Sequence, residues 1–285
     1  MPELPEVQTT VNGLNKTVRK RIIVAVMTTY GSKYHNGKDN IKDPAFFKKF
    51  KRLVVGQKIS KAERRAKNVL IHLSGGYTIL VHMKMTGHFV YNQPDYPFTR
   101  LTFKLDNNKE LSLSDMRKFA KVTLVKTAEL EKCFHLEHLG PEPLEPGFRL
   151  KAFSLQLLKR PRGKIKQVLM DQSLIAGIGN IYSDEILWRA EAHPLSIVEK
   201  IPEKNMKLMF KAMKETLKSG IHFGGDSMSD YRNIKGERGH FQEHHHAYRQ
   251  TGRACHKKNC RGVIKRIVVG ARSAHFCPVH QKLFK

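Results

Sequence analysis

Four residues in the last part of this chain have the types and spacing of a metal site. They run Cys255, four residues, Cys260, sixteen residues, Cys277, two residues, His280. Thiolate and imidazole donors in that order suit a tetrahedral zinc ion held for structure. His256 competes as a donor, although its adjacency to Cys255 strains a chelate. A hairpin held by packing, without metal, is the plainer alternative. The opening Met-Pro-Glu carries different chemistry. Proline is small enough for Met1 to be removed, which leaves Pro2 with a free secondary amine. An α-amino group titrates near ~8, so part of it is neutral at cellular pH. Such an amine adding to an aldehydic carbon gives an iminium cation, an electron sink that favours elimination. Glu3 beside it can donate or move a proton. Its charge also raises the amine pKa, so the chemistry needs a cation nearby. On composition alone an ordinary helix start explains the proline and acids better.

The elements that would position these groups are legible in outline. Val7, Val11, Leu14 and Val18 form an apolar stripe at helical spacing. Short, often alternating segments at Ile22–Met27, Val69–Leu73, Tyr77–Met83, Leu101–Leu105 and Val122–Val125 predict strands, so residues 1–130 read as mostly β, two sheets face to face. Gly140 to Gly147 holds three prolines and two glycines and reads as a linker. Helices are expected over 150–159, 164–170, 181–190 and 203–219, with the one through Ile186, Leu187 and Trp188 in the core. Residues 222–250 lack periodicity and read as a long loop, functional or disordered. Within it, His244-His245-His246 reads as an exposed run before it reads as a metal site.

Charge narrows the partner. The 285 residues hold 52 Lys and Arg against 25 Asp and Glu, a formal charge of +27. Basic residues are spread along the chain, which favours a polyanion and above all nucleic acid. A membrane-surface protein or a ribosomal component would carry the same balance. No apolar run approaches the roughly 18 residues of a membrane span, and the N-terminus has no signal-peptide pattern. The chain reads as soluble and cytoplasmic. Four cysteines, three of them after residue 250, fit a metal site in a reducing compartment better than a disulfide framework.

Several separated motifs then carry a resemblance over nearly the whole chain. MPELPEV at residues 1–7, followed by Gln8, resembles the N-terminus of the formamidopyrimidine-DNA glycosylases, repair enzymes for 8-oxoguanine and ring-opened purines. Leu4 favours this branch over the endonuclease VIII type, which typically has glycine there. Glu63 to His72 is similar to the family's RRxKY strand, with Asn68 at the aromatic place. His82 to Gly87 is similar to HLxMxG, and Asp115 to Ala120 to DPRRFG, with Met116 and Ala120 for proline and glycine. The family's His-bearing segment reads Pro97-Phe98-Thr99-Arg100, so the phosphate contact usual for that His is in question and Arg100 is the available replacement. Arg162 to Tyr182 resembles the helix–two-turn–helix. Gly270 to Gln281 resembles GxRSTxFCPxCQ, where the family's C-x2-C-x16-C-x2-C has here a wider first knuckle and His280 as last donor.

The resemblance implies an α+β fold: an N-terminal β-sandwich with flanking helix over 1–132, a linker over 133–149, a helix–two-turn–helix domain with a base-capping loop over 150–249, and a C-terminal zinc-finger β-hairpin over 250–285. It implies that Pro2 forms a Schiff base and Glu3 donates a proton. Lys67 would act in glycosidic or β-elimination chemistry and supply the cation Pro2 needs. Arg272 would reach the minor groove or the target phosphate and assist a second elimination. Met85, Arg117 and Phe119 would fill the hole left by an extruded base. Arg162, Lys166 and Asn180 would grip the backbone. As bare residues these read otherwise: Lys67 on a solvated basic strand, Met85 and Phe119 in the core, Arg117 on the surface, Gly177-x-Gly179-Asn180 a structural turn. The implied activity is removal of oxidised purines followed by β,δ-elimination, in a monomer with one structural zinc, acting on double-stranded DNA with an oxidised base or abasic site, on the nucleoid of a bacterium. An endonuclease VIII-type enzyme for oxidised pyrimidines and a non-catalytic lesion-binding protein are the alternatives.

Overall fold

A proline in the first turn and acids at the positive end favour a helix at the N-terminus. In the computed structural model, which describes residues 1–228 and 230–285, α1 runs Leu4–Thr17. Glu6 Oε2 accepts the Glu3 backbone N–H at 2.7 Å, half of a capping box. Val7, Val11, Leu14 and Val18 are at most 3% exposed, so the expected stripe faces the core. Burial of each side chain contributes ~1.5–3 kcal/mol.

The first of two compact units comprises Met1–Glu137 and Phe223–His240. After α1 it contains β1 (Ile23–Thr28), α2 (Pro44–Val54), β2 (Ile59–Arg65), β3 (Asn68–Leu73), β4 (Tyr77–His82), β5 (His88–Tyr91), β6 (Thr99–Leu105), β7 (Glu110–Ser114) and β8 (Lys121–Lys126). The five expected strands lie within two residues of their expected bounds. Among the described residues the strands form two antiparallel sheets, ordered β1-β6-β7-β5 and β2-β3-β4-β8. Val26, Leu101, Phe103 and Leu113 from one sheet share a core with Val69, Ile71, Ile79 and Val81 from the other. This is the β-sandwich with a flanking helix that the resemblance implied.

Two features differ from the sequence reading. Helix α2 was not expected, yet its start is well specified. Asp43 Oδ1 accepts the Ala45 N–H at 2.9 Å, Pro44 occupies the first turn, and Phe50 and Val54 are fully buried. The described residues of 223–240 make neither strand nor helix, as a loop should, but the loop is ordered against the sandwich and not disordered. Ile234 enters the sandwich core, its carbonyl accepts the Tyr91 N–H at 2.8 Å, and Tyr231 Oη donates to the Glu6 carbonyl at 3.0 Å.

The second unit comprises His138–His222 and Phe241–Lys285. It contains α3 (Leu150–Leu158), α4 (Ile165–Met170), α5 (Asn180–Arg189), α6 (Glu203–His222) and the hairpin β9 (Lys265–Val269) with β10 (Arg272–Phe276). Ile186, Leu187 and Trp188 are buried, as expected. The connection from α4 to α5 is stapled by one side chain. Gln172 Nε2 donates to the carbonyls of Met170 and Ile178 at 2.8 and 2.7 Å, and its Oε1 accepts the Gly177 N–H at 2.9 Å. Gly177 turns at φ 92°, a conformation that requires glycine there. No helix among the described residues is long and apolar enough to cross a membrane.

Candidate active site and metal centre

The N-terminal residues are held, not frayed. Pro2 is buried and Glu3 is 3% exposed. Two bolts fix α1 along β2. Asn15 exchanges a pair of 2.8 Å hydrogen bonds with the backbone of Ala62, and Gln8 Oε1 accepts from Arg64 Nε at 3.0 Å. The pairs 15 with 62 and 8 with 64 show that α1 runs against β2, so the start of α1 points toward the end of β2. That end is a two-residue turn, Ala66-Lys67, closed by the Arg65–Asn68 pair. Ala66 has φ 53°, and Arg64 Nη1 donates to its carbonyl at 3.0 Å. Lys67 therefore sits at a hairpin tip and not within a strand. It is 6% exposed, which overturns the solvated alternative.

The carboxylate that organises this end was not singled out in the sequence. Glu6 is 1% exposed. Its two oxygens accept the backbone N–H groups of Glu3 and Asp226, each at 2.7 Å. It thus ties the N-terminal residues to the segment 223–240. On β4, beside Asn68, burial and then the charges of Lys84, Lys67 and Lys121 push the His82 pKa down to about 3. Its Nδ1 accepts the Lys84 N–H at 3.0 Å, so the single proton lies on Nε2. His82 is neutral in the fold and titrates near 6.5 when unfolded, so the stability it carries above pH 6.5 is lost as pH falls toward 3.

A second buried carboxylate holds two exposed loops. Asp115 is 0% exposed. Its oxygens accept from Thr86 Oγ1 at 2.6 Å, Tyr30 Oη at 2.7 Å and the Ala120 N–H at 2.8 Å. Thr86 Oγ1 in turn accepts the Arg117 N–H at 3.1 Å. Burial, and then the Asp115 charge, push the Tyr30 phenol far above its usual pKa, so it remains a donor. Met85 and Phe119, on the loops so joined, are 42% and 48% exposed, and the Arg117 guanidinium lies 4.5 Å from the Phe119 ring centre. The core alternative for Met85 and Phe119 does not hold.

In the second unit Lys166 must be corrected. It is 0% exposed, and its ammonium donates to Asp184 Oδ1 at 2.6 Å, Ser183 Oγ at 3.0 Å and the Asn180 carbonyl at 3.2 Å. Those bonds use its three donors, so it fixes the start of α5 and does not reach a phosphate. Asp184 Oδ2 also accepts the backbone N–H and Nδ1 of His275 on β10, at 3.0 and 2.8 Å. Neighbouring Glu185 accepts the N–H groups of His246, Ala247 and Tyr248. The His run is not simply exposed: His245 is buried among rings, 5.4 Å from both Phe241 and Tyr248. Arg162 is exposed before α4, and Asn180 is the half-buried first residue of α5. Arg272 is exposed at the tip of the β9–β10 hairpin, where Gly270 and Ala271 both have positive φ, 54° and 60°. That pair suits a tight hairpin turn.

Cys255, Cys260, Cys277 and His280 converge, with one donor atom from each within 4.8 Å of the others. Cys255 Sγ lies 3.3 Å and Cys260 Sγ 3.8 Å from His280 Nδ1, and the Cys260 and Cys277 sulfurs are 3.6 Å apart. Tetrahedral zinc with bonds of ~2.0–2.3 Å needs donor spacings of ~3.3–3.8 Å, so these residues fit a zinc ion. A disulfide needs ~2.05 Å and does not fit. His280 Nε2 donates to the Trp188 carbonyl at 3.1 Å, which leaves Nδ1 free to bind metal. Trp188 Nε1 donates to Cys255 Sγ at 3.4 Å and Gly262 N to Cys260 Sγ at 3.4 Å, support suited to thiolates. A Cβ on Gly262 would collide with Cys277 Sγ, so the knuckle needs glycine there.

Comparison with known proteins agrees with this geometry. Residues 1–122 match the family model of the formamidopyrimidine-DNA glycosylase N-terminal domain, and residues 139–232 that of its H2TH domain. The formamidopyrimidine-DNA glycosylase of Herpetosiphon aurantiacus is 38% identical over 284 residues, 99% of this chain and 100% of that protein. That of Moorella thermoacetica is 40% identical over 258 residues, 90% and 91% of the two chains. This chain belongs to the formamidopyrimidine-DNA glycosylase family. Among solved structures, Lactococcus lactis Fpg with abasic-site DNA aligns at a TM-score of 0.86 and 32% identity, over 98% of this chain and 99% of that one. The same protein with N7-benzyl-Fapy-dG DNA gives 0.86 and 32%, over 99% and 100%.

Membership in the formamidopyrimidine-DNA glycosylase family makes the chain a DNA glycosylase, of a family that also has lyase activity at abasic sites. The buried Lys166–Asp184 pair yields a direct test of the correction above. Lys166→Met leaves buried Asp184 without its cation and with only the His275 donors, so it should cost ~3–5 kcal/mol of stability. A urea titration would show the lowered midpoint. The salt slope of DNA binding by the folded fraction should stay that of the parent, whereas loss of a phosphate contact would reduce it by about 0.9.

Proposed function

We propose that this chain removes oxidised purines, 8-oxoguanine and formamidopyrimidines, from duplex DNA through the Pro2 amine and then cleaves the abasic strand. The observation that carries the reading is the locked N-terminus: Pro2 and Glu3 are buried at the start of α1, directed toward the hairpin tip that holds buried Lys67. With Met1 removed, the Pro2 nitrogen attacks C1′ as the bond from C1′ to the base breaks. The proton released by the Pro2 amine passes to the departing base, and Glu3 protonates the sugar ring oxygen as the ring opens. The product is an iminium ion between Pro2 and C1′. The Lys67 cation keeps part of the Pro2 amine neutral before attack, and its amine serves proton transfer in the glycosidic or β-elimination step. Loss of a proton from C2′ expels the 3′ phosphate, and a second elimination, assisted by Arg272, expels the 5′ phosphate. A one-nucleotide gap remains.

Met85, Arg117 and Phe119 are the groups we assign to the space left by the extruded base, with Arg117 facing the orphaned partner. Their exposure on loops fixed by Asp115 supports this. Exposed Arg162 and the N-terminus of α5 at Asn180 suit phosphate. Zinc held by Cys255, Cys260, Cys277 and His280 would supply no chemistry to the reaction. It would hold the hairpin that carries Arg272.

A panel of duplexes tests the lesion class. 8-Oxoguanine opposite cytosine should be excised and the strand cut, and Pro2→Gly should lose both, by at least ~100-fold. Cutting of oxidised pyrimidines with 8-oxoguanine untouched would contradict the reading, as would retained cutting by Pro2→Gly. Metal removal tests the second assignment. Cys277→Ser, or a strong chelator, should release about one zinc per chain and unprotect amides 250–285 to hydrogen exchange. Unchanged protection would return the hairpin to packing alone.

A further inference from the structure

Phe98 has a left-handed backbone, φ 59°, and is the only aromatic residue among the described ones that does. Bulky side chains avoid that region, and such strain persists only where the surroundings over-determine it. The surroundings do so here. The Phe98 carbonyl accepts the Asp115 N–H at 3.0 Å, the Pro97 carbonyl accepts Ser114 Oγ at 2.7 Å, and Arg100 Nε donates to the Asp115 carbonyl at 3.1 Å. Yet the strain does not bury the ring, which is left 52% exposed. Phe98 lines a cleft of about 170 Å³ with Thr86, Tyr96, Met116 and Arg232, and Met116 is itself 45% exposed. Phe98 is therefore tied to the same buried Asp115 that fixes the loops of Met85 and Phe119.

Water gives an exposed aromatic ring no reason to be held this way. Arg232 and Asp230 line this cleft together, and Arg117 and Lys118 are exposed next in the chain to its Met116. In a chain of formal charge +27 such an edge attracts a polyanion, and nucleic acid is the polyanion that carries flat apolar faces among its phosphates. We propose that Phe98 is a further apolar contact of this edge and stacks on a nucleobase at or beside the damaged position. The inference rests on the DNA-glycosylase reading of the chain. Stacking accepts any base, so Phe98 would steady the opened duplex whatever its sequence.

The test is equilibrium binding of a duplex carrying a tetrahydrofuran abasic analogue, at several salt concentrations. Phe98→Ala and Phe98→Leu should weaken binding roughly 5- to 100-fold, and Phe98→Tyr should stay within about 2-fold. The slope against salt should be common to all, since stacking releases no counterions. Phe98→Gly relieves the left-handed strain, so it should melt no lower than the parent yet lose the same affinity, which separates stacking from a folding defect. Parent-like binding by Phe98→Ala would overturn the proposal. So would full affinity in Phe98→Leu, which would mean simple apolar cover, or a changed salt slope in Phe98→Ala. Failure of the unsubstituted protein to bind would instead sink the glycosylase reading beneath it.

Discussion

A chain with 52 cationic and 25 anionic side chains keeps several of its acids out of water and ties its working loops to them. Glu6, Asp115, Asp184 and Glu185 are each at most 1% exposed. A carboxylate removed from water is costly unless donors replace its hydration. Here each receives them from segments distant in sequence: Glu6 from Asp226, Asp115 from Tyr30 and Thr86, Asp184 from Lys166 and His275, Glu185 from the backbone at 246–248. Such a network is satisfied in one arrangement only, which makes it a device for fixing geometry more than for adding stability. Loops that would otherwise drift are set relative to α1, to the sandwich, or to α5.

The consequence is a division of charge. Cations left on the surface give the field that draws a polyanion. The acids inside decide what meets it. In the first unit the Glu6 clasp holds the N-terminal residues, while the Asp115 hub presents Met85, Arg117, Phe119 and Phe98. In the second unit Asp184 joins the start of α5 to the hairpin that carries Arg272, and Trp188 on α5 reaches Cys255 and His280 of the Cys3His cluster. The hairpin is therefore gripped by a carboxylate at one place and suited to gripping by zinc at another. His82 adds a contrasting element. Surrounded by lysines and buried, it stays neutral, so it adds no positive charge beside Lys67.

How far this was legible depends on whether a residue's role is local or is set by tertiary contacts. The stripe Val7, Val11, Leu14 and Val18, the Cys and His spacing, and the strands rich in branched residues obey short-range rules, and their elements were readable. Helix α2 also carried its signals, Asp43-Pro44 and the Phe50–Val54 pair, but its lysines masked them. A lysine in a basic chain reads as solvent-facing, and nothing local to Lys166 reveals a partner eighteen residues on. The burial of His245 is hidden for a similar reason: three histidines in a row look solvated until rings from elsewhere in the unit enclose one. Glu6, Asp115 and Gln172 organise the site through contacts that spacing does not encode. The left-handed φ of Phe98 was likewise invisible, since no glycine or asparagine marks it.

The whole proposed reaction depends on the covalent bond to DNA forming at residue 2. Borohydride reduction of the protein on a duplex with 8-oxoguanine opposite cytosine, followed by proteolysis and mass mapping of the linked peptide, reads that bond directly. The expected product is a peptide beginning at Pro2, with Met1 gone and the sugar remnant on the Pro2 nitrogen. A remnant on Lys67 or another lysine, with Pro2 unmodified, would contradict it.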